Sequence, residues 1–351
     1  MQTTTYQTVK LTKFSHGAGC GCKISPKILD QILNNSGQTT VQFSNLIVGN
    51  SDKDDAAVFD LGDGTAIIST TDFFMPIVDD AIEFGKIASA NAISDIYAMG
   101  GQPLMAIAIL GWPIDKIPAE IAGKVLEGAR IICESIGIPL AGGHSIDCPE
   151  PIFGLAVTGR IDLVDLKKNG GDIKDCLLYL TKPIGVGILT TAEKQGKLRI
   201  EDQGLASSSM MKLNTIGQVC GKLPYVKAMT DVTGFGLLGH LVEMCESSNM
   251  SAEILLDKVP LLNKSAIEHY IDEKCIPGGT TRNFDSYGHK ISTMTERQRA
   301  VLCDPQTSGG LMIAVQSEYS QEFEKIMQQN NFNLEPIGKI CPKDTVTIIV
   351  K

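Results

Sequence analysis

Residues 84–101 read FGKIASANAISDIYAMGG, and residues 103–112 read PLMAIAILGW. The first stretch is made of small and apolar residues and stops at Gly100–Gly101, which predicts a helix that ends there. The second stretch is a continuous apolar run, which predicts a buried strand. A helix that leads directly into such a strand indicates a protein in which helices and strands alternate.

The same alternation continues on both sides of this pair. Residues 65–74, TAIISTTDFF, and 151–161, PIFGLAVTGRI, have the composition of strands, and residues 118–137 form an amphipathic helical pattern. Residues 162–176, DLVDLKKNGGDIKDC, are polar and charged, as at a domain boundary. The prediction is a mixed α/β (α+β) protein with three parts: a mobile glycine-containing segment over 1–46 and two α/β domains over 47–163 and 164–351.

The overall composition narrows the class of protein. The 351 residues are 43% hydrophobic and carry a formal charge of −9 with scattered Lys and Arg, which argues against nucleic acid or an anionic membrane as partner. The start MQTTTYQTVK is no signal peptide, and no apolar run is long enough to span a membrane. Ten cysteines without a CxxC pair suit free thiols. We therefore expect a cytoplasmic enzyme.

Residues 15–25, SHGAGCGCKIS, place two cysteines and a lysine among glycines. A disulfide between Cys20 and Cys22 would close a strained ring, and only His16 is near enough to help form a zinc site. Lys23 favours a thiolate on either cysteine, and the glycines keep the segment exposed and mobile. The stretch indicates a flap that carries a nucleophile, with Lys23 as a cation for phosphate. The alternative is a disordered tail with incidental cysteines.

Carboxylates at strand ends and in glycine-rich turns are the second group of candidates: Asp52, Asp54, Asp55, Asp72, Asp95 and Asp231. Asp95 follows Asn91 by four residues, so both lie on one helix face. A carboxylate there is costly to bury unless it is paired or binds a cation. Hard oxygen ligands of this kind suit Mg²⁺ held against a polyphosphate. The alternative is that these residues are solvated or salt-bridged.

No GxxxxGK[ST] motif and no protein-kinase motif is present. Residues 234–239, GFGLLG, match GxGxxG, but a dinucleotide there is disfavoured because Asp231 would repel its pyrophosphate. Residues 140–146, LAGGHSI, are a better phosphate contact, because glycine lets a ligand approach backbone N–H groups. A tight turn between two core strands is the alternative for this stretch.

Taken together, several long motifs resemble those of the selenophosphate synthetases (selenide, water dikinases). They are SHGAGCGCKISPK, DDAAV, STTDFFMPIVDD, ANAISDIYAMGG, AILGWP, LAGGHSID, MTDVTGFGLLGH, PGGTTRNFDSYGH and CDPQTSGG. The resemblance runs from about residue 11 to the C-terminus. It implies a two-domain fold like that of aminoimidazole ribonucleotide synthetase, a homodimer, and ATP binding without a P-loop. It also implies the reaction ATP + selenide + water → selenophosphate + AMP + phosphate.

The resemblance also implies roles for single residues. Cys20 and Lys23 would be catalytic, and Asp55, Asp95 and Asp231 would bind Mg²⁺. The implied ATP contacts are Lys23, Asp52, Lys53, Asp54, Asp72, Asp95, Gly143, His144 and Ser145. Two positions depart from the pattern: some relatives carry selenocysteine at position 20, and Lys53 stands where Arg is expected. Lysine keeps the charge at that position but lacks the bidentate fork of arginine.

Two other functions compete with this interpretation. One is a synthetase or kinase of the same fold with another acceptor, such as an amide or a thiamine phosphate, which has no need of a Cys-Gly-Cys-Lys flap. The other is a metal- or selenium-binding carrier without turnover, which would bind ATP weakly. The flap itself suggests a hypothesis for the two-step reaction. It closes to exclude water during the first step and opens to admit water for the hydrolysis of ADP.

Overall fold

The computed structural model describes residues 9–24, 26–35, 43–49 and 54–351. The described residues of the first half contain nine helices and strands, not counting short 3-10 turns. In chain order they are α1 (Pro26–Asn35), β1 (Leu46–Val48), β2 (Ala57–Asp60), β3 (Thr65–Phe74), α2 (Ala81–Ala98), β4 (Gln102–Trp112), α3 (Ala119–Ser135), β5 (Leu140–Asp147) and β6 (Ile152–Asp162). The six strands form one sheet in the order β1-β2-β3-β6-β4-β5. Only the β4–β5 pair within this sheet is parallel.

Helices α2 and α3 pack together over one face of the first sheet. The predicted stop of α2 is confirmed: the helix ends at Ala98, and Gly100 follows with φ of +81°. Within the described residues of a single chain, the opposite face of the sheet carries exposed side chains. The prediction that residues 103–112 form a buried strand is therefore only half right, because Met105 and Ile107 on β4 are each 44% exposed.

The second half forms another mixed sheet with helices around it. The elements are β7 (Cys176–Leu180), α4 (Val186–Lys194), α5 (Leu205–Met210), α6 (Ile216–Gly221), β8 (Val226–Asp231), α7 (Gly236–Ser247), β9 (Ser251–Ile254), α8 (Lys264–Asp272), α9 (Gly278–Tyr287), α10 (Glu296–Leu302), β10 (Leu311–Gln316), α11 (Ser320–Gln329), β11 (Gly338–Cys341) and β12 (Ile348–Val350). The strand order is β12-β9-β11-β7-β10-β8. Two sheets with packed helices confirm the mixed α/β class.

Residues 9–24 lie against the body of the protein and contain two short 3-10 turns, Leu11–Phe14 and Gly19–Cys22. Leu11 is fully buried, and the hydroxyl of Thr12 donates to Asp79 Oδ1 at 2.6 Å. The N–H of Gly19 donates to the carbonyl of Met75 at 3.0 Å. The predicted mobility of this segment stays a prediction, and the structure shows its docked form. Within the described ranges, no helix has the length and apolar character needed to cross a membrane.

Candidate active site

Three carboxylates from distant parts of the chain line one cleft of about 540 Å³. Asp55 precedes β2, Asp95 lies on α2, and Asp231 is the last residue of β8. Asp72 of β3 and Lys23 of the N-terminal segment line the same cleft. The predicted convergence of these acidic residues therefore exists in the folded chain.

The buried oxygens of this cleft are only partly satisfied by protein groups. The hydroxyl of Thr230 donates to Asp55 Oδ1 at 2.9 Å, and the hydroxyl of Thr70 donates to Asp95 Oδ2. The second oxygens of Asp55 and Asp231 are buried and have no hydrogen-bond partner among the described residues. Unpaired buried carboxylate oxygens are costly, which makes this set of side chains suitable for a cation.

The pKa values of the carboxyl groups in the cleft also favour the binding of a cation. Burial raises the pKa of Asp55 and Asp95 well above the ordinary value, and the neighbouring Asp231 raises both further. Burial also raises the pKa of Asp231 itself. In the described part of the chain, no three acidic, histidine or cysteine side chains form a ready-made cage around one ion. Mg²⁺ does not need such a cage, since it commonly takes one or two carboxylates together with phosphate oxygens and water.

The Cys20 loop is connected to the cleft through Asp72. The ammonium of Lys23 lies 3.7 Å from Asp72 Oδ1, and this carboxylate is the main reason why the pKa of Lys23 is raised. The amide of Asn91 donates to Asp72 Oδ2 at 2.6 Å and accepts from the thiol of Cys20 at 3.2 Å. The thiol, the lysine and the carboxylate therefore form one polar group of contacts.

The expectation of an exposed thiolate at Cys20 is wrong for the docked loop. Cys20 is only 2% exposed, and this burial raises the pKa of its thiol. Lys23 lowers that pKa, as predicted, but its effect is smaller than that of burial. The docked thiol is therefore protonated near neutral pH. The structure does not describe the side chain of Cys22.

A second polypeptide segment holds the loop in place. Within residues 304–310, DPQTSGG, the hydroxyl of Thr307 accepts from the N–H of Cys20 at 3.0 Å. Gly19 has φ of +51°, and a Cβ there would collide with Thr307 Oγ1 and with the side chain of Ile77. Residues 303–310 form one of the motifs that resemble the family, but local sequence patterns predict no role for them. Their signal was a run of hydroxyl and glycine residues beside a carboxylate.

A small cavity of about 240 Å³ lies directly beside the thiol. It is lined by Gly19, Cys20, Lys23, Ile24, Asp72, Phe73, Phe74, Met75 and Ile152. Lys23 and Asp72 line both this cavity and the larger cleft. The two cavities therefore meet at Lys23 and Asp72, and the thiol of Cys20 lines only the smaller one.

The GxGxxG stretch serves packing in this structure. Gly234 leaves room for the carbonyl of Cys20, and Gly236 has φ of +72° against the backbone of Cys303 and Asp304. A Cβ at Gly234 would collide with the backbone of Cys20, and a Cβ at Gly236 would collide with that of Cys303 and Asp304. This close approach accounts for both glycines without a dinucleotide.

The remaining predicted ATP contacts divide into three groups. Asp54 lines the cleft and accepts from the N–H of Asn169 at 3.0 Å. Asp52 and Lys53 lie outside the described residues. Residues 143–145 line a separate pocket of about 280 Å³ with Arg130. The tight turn considered for them is wrong, because they lie within β5.

Comparison with known protein families identifies two domains in the chain. Residues 53–161 match the family described as AIR synthase related protein, N-terminal domain, and residues 174–351 match the corresponding C-terminal domain.

Two solved thiamine-monophosphate kinases are similar in structure. The Stenotrophomonas maltophilia protein has a TM-score of 0.64 at 16% identity, covering 92% of this chain and 95% of its own. The Aquifex aeolicus protein has a TM-score of 0.61 at 14% identity, covering 93% and 96%. At such identities these two comparisons show the shared fold alone.

Relatives with much higher identity carry one name. A protein of Photobacterium profundum named "Selenide, water dikinase" is 59% identical over 98% of this chain and 99% of its own length. A protein of Pseudomonas putida with the same name is 58% identical over the same shares. A third, from Sulfurimonas denitrificans, is 57% identical over 96% of this chain and 97% of its own.

Proposed function

The chain belongs to the selenide, water dikinase family of AIR synthase related proteins, and from this premise we propose that it makes selenophosphate. The γ-phosphoryl group of ATP passes to selenide, and the ADP that remains is hydrolysed to AMP and phosphate. One observation carries this proposal for the site: a thiol and a lysine on a docked loop meet a cleft lined by buried carboxylates through the contacts of Asp72. A carrier without turnover has no use for this junction.

We assign the binding of Mg²⁺ to Asp55, Asp95 and Asp231. The unpaired buried oxygens of Asp55 and Asp231 support this assignment. These carboxylates would hold Mg²⁺ where it would neutralise negative charge on the ATP phosphates. Asp54, Asp72 and the undescribed Asp52 and Lys53 would complete the nucleotide site.

Among the described residues, Lys23 is the cation with the largest effect on the thiol of Cys20. Selenide and the γ-phosphate are both anionic, so their approach needs a cation between them. Lys23 lines both cavities, and its Nζ is 3.7 Å from Asp72 Oδ1. This placement supports contact with a phosphate in the cleft on one side and with the acceptor on the other. We propose that Cys20 contacts selenide in the 240 Å³ cavity.

The docked position of the loop supports different loop conformations in the two chemical steps. The docked loop holds Cys20 at 2% exposure, so the thiol that would contact selenide is shielded from bulk water, which suits transfer to selenide rather than to water. Hydrolysis of ADP needs a water molecule at the remaining phosphates. We therefore propose that the loop opens between the two steps.

We further propose a homodimer built on the first sheet. Strand β5 is an edge strand, and the uncovered face exposes Phe73, Met105 and Ile107. An open apolar sheet face with a free edge favours association with a second copy. Such a copy could also bring residues 143–145 to a nucleotide, which a single chain does not do. A cytoplasmic location without nucleic-acid or membrane partners stays part of this proposal, supported by the free thiols and the charge of −9.

The test is ³¹P NMR of the purified chain with Mg·ATP under anaerobic conditions, with and without selenide. We expect AMP, phosphate and a selenium-coupled phosphorus signal that all depend on selenide. The Cys20→Ser variant should lose the selenium-coupled signal, whereas Cys341→Ser, which lies on β11, should keep it. ADP as the end product, or turnover that ignores selenide, would contradict the proposal and favour a related kinase.

A further inference from the structure

The side chain of Asn91 is fully buried between the thiol of Cys20 and the carboxylate of Asp72. Its Oδ1 accepts from the thiol at 3.2 Å and from the N–H of Ser308 at 2.8 Å. Its Nδ2 donates to Asp72 Oδ2 at 2.6 Å. Because a backbone N–H can only donate, the contact with Ser308 fixes which end of the amide is the oxygen. The thiol is therefore the donor to Asn91.

The backbone of Ser308 is held in an unusual conformation that serves this contact. Its φ is +49°, in the left-handed region that residues other than glycine seldom adopt. Its carbonyl accepts from the buried ammonium of Lys182 at 2.9 Å, while its N–H points to Asn91. A residue held from both sides in a disfavoured conformation gives Asn91 a rigid support.

We propose that Asn91 is a positioning residue: it couples docking of the Cys20 loop to the position of the Asp72 carboxylate. The amide of Asn91 contacts both the thiol of Cys20 and the carboxylate of Asp72. A displacement of Asp72 therefore shifts Asn91 Oδ1, which accepts the hydrogen bond of the thiol. The biological meaning of Asp72 as a nucleotide-site residue rests on the function proposed above. The coupling itself is a property of the ligand-free chain. The competing explanation is that Asn91 is a buried polar residue that only maintains packing.

The coupling can be measured by alkylation of Cys20 with iodoacetamide in the ligand-free full chain. The thiol is buried, so it reacts only when the loop opens, and peptide mapping by mass spectrometry reports its rate separately from the other cysteines. Asn91→Asp keeps the size of the side chain but places a second carboxylate against Asp72. We expect alkylation to become at least about tenfold faster, because a charge-assisted hydrogen bond is replaced by repulsion.

The decisive step is to exchange the two groups. Asp72→Asn alone should speed alkylation, because Lys23 loses its ionic partner. In the Asn91→Asp background, Asp72→Asn again gives one amide donor, now at position 72, and one carboxylate acceptor, now at position 91. It should then slow alkylation by about tenfold compared with Asn91→Asp alone. This reversal of sign is expected only if the two side chains act through their direct contact.

Thr12→Val is the matched control, because Thr12 anchors the same loop through Asp79 and lies outside these contacts. It should speed alkylation by the same factor in every background. The proposal is overturned if Asp72→Asn speeds alkylation in both backgrounds, or if Asn91→Asp reacts at the wild-type rate. Should Asn91→Asp lose its native circular dichroism, Asn91→Ala replaces it, and a wild-type rate for that variant also overturns the proposal. No readout uses selenide or ATP turnover, so failure here leaves the proposed function untouched.

Discussion

The ammonium of Lys23 and the carboxylate of Asp72 are 3.7 Å apart, although one belongs to the N-terminal loop and the other to the third strand of the first sheet. This contact joins the part of the site that carries the thiol to the part that is suited to bind metal and nucleotide. Lys23 is 38% exposed at its side chain, so the pair is accessible to an entering phosphate. Substitutions at this junction should therefore affect catalysis more than folding.

Replacing Lys23 with methionine should lower the rate of selenide-dependent AMP formation by at least about 100-fold, because one cation near the transferring phosphoryl group is lost. Lys23→Arg keeps the charge and should retain more activity than Lys23→Met. The rates are measured by ³¹P NMR, and thermal unfolding serves as the folding control. Equal activity in Lys23→Met and the wild-type chain would remove Lys23 from the catalytic group.

Adding a methyl group at Gly19 should prevent docking of the loop. The new Cβ would collide with Thr307 and Ile77, whereas at Gly62, which also has positive φ, no atom lies within 4 Å. Gly62→Ala is therefore a control for backbone strain alone. We expect Gly19→Ala to expose Cys20 to alkylation and to lose activity while keeping its circular dichroism spectrum. Gly62→Ala should behave like the wild-type chain in both assays.

Asp231→Asn should stabilise the metal-free chain and impair its use of Mg²⁺. Burial raises the pKa of this carboxyl, so its ionised form is unfavourable in the folded chain at pH 8. We expect a melting temperature about 2 °C higher without metal, and a smaller increase on adding Mg²⁺ with a non-hydrolysable ATP analogue. Asp257→Asn, on an exposed residue outside the cleft, should change neither value. A lower melting temperature for Asp231→Asn without metal would argue against an unfavourable buried charge.

Asp304 should make the stability of the chain depend on pH. Burial raises its pKa from 3.8 to about 8, and Oδ1 has no partner among the described residues. Between about pH 4 and pH 8 the folded chain therefore binds a proton that the unfolded chain has released, and stability falls as pH rises across this window. Asp304→Asn should flatten the decline. Melting temperatures at pH 5, 6, 7 and 8 test this, and parallel curves for both proteins would contradict it.

Ile107→Glu should disrupt the proposed homodimer. The side chain lies on the uncovered face of the first sheet at 44% exposure, and a carboxylate there would have to be buried against the second copy. Light scattering after size-exclusion chromatography should give the mass of one chain for this variant and of two for the wild-type chain. Val164→Glu is the control, because Val164 is 89% exposed and lies in the turn after β6, outside the strands of the sheet. A single-chain mass for the unaltered protein would exclude the dimer.

Local patterns in the sequence were enough to predict the helix that carries Asp95 and its end at Gly100, because small and apolar residues at helical spacing have a direct structural meaning. The carboxylates were also identifiable: Asp231 ends a strand, Asp55 lies in a polar turn before one, and Asp95 is an acidic residue in a helix of small and apolar residues. Their common cleft could be anticipated through the family resemblance.

The docking of the loop could not be predicted in this way. It depends on Thr307, which is 287 positions away from Cys20, and on the contact between Ser308 and Asn91 across 217 positions. Local periodicity contains no information on such pairings. The glycines before Cys20 suggested exposure and mobility, whereas at Gly19 the missing side chain allows a close fit against Ile77. A glycine-rich loop can be either mobile or tightly docked, and the sequence of the loop alone does not show which surface it contacts.

The burial of Cys20 also affects how long the protein survives between reaction cycles. Peroxides oxidise thiolates far faster than thiols, and sulfinic acid formation is generally irreversible. A thiol that is 2% exposed and protonated in the docked loop presents little target to such oxidants. Resting molecules should therefore keep their sulfur reduced during oxidative stress, and damage should accumulate mainly in molecules whose loop is open.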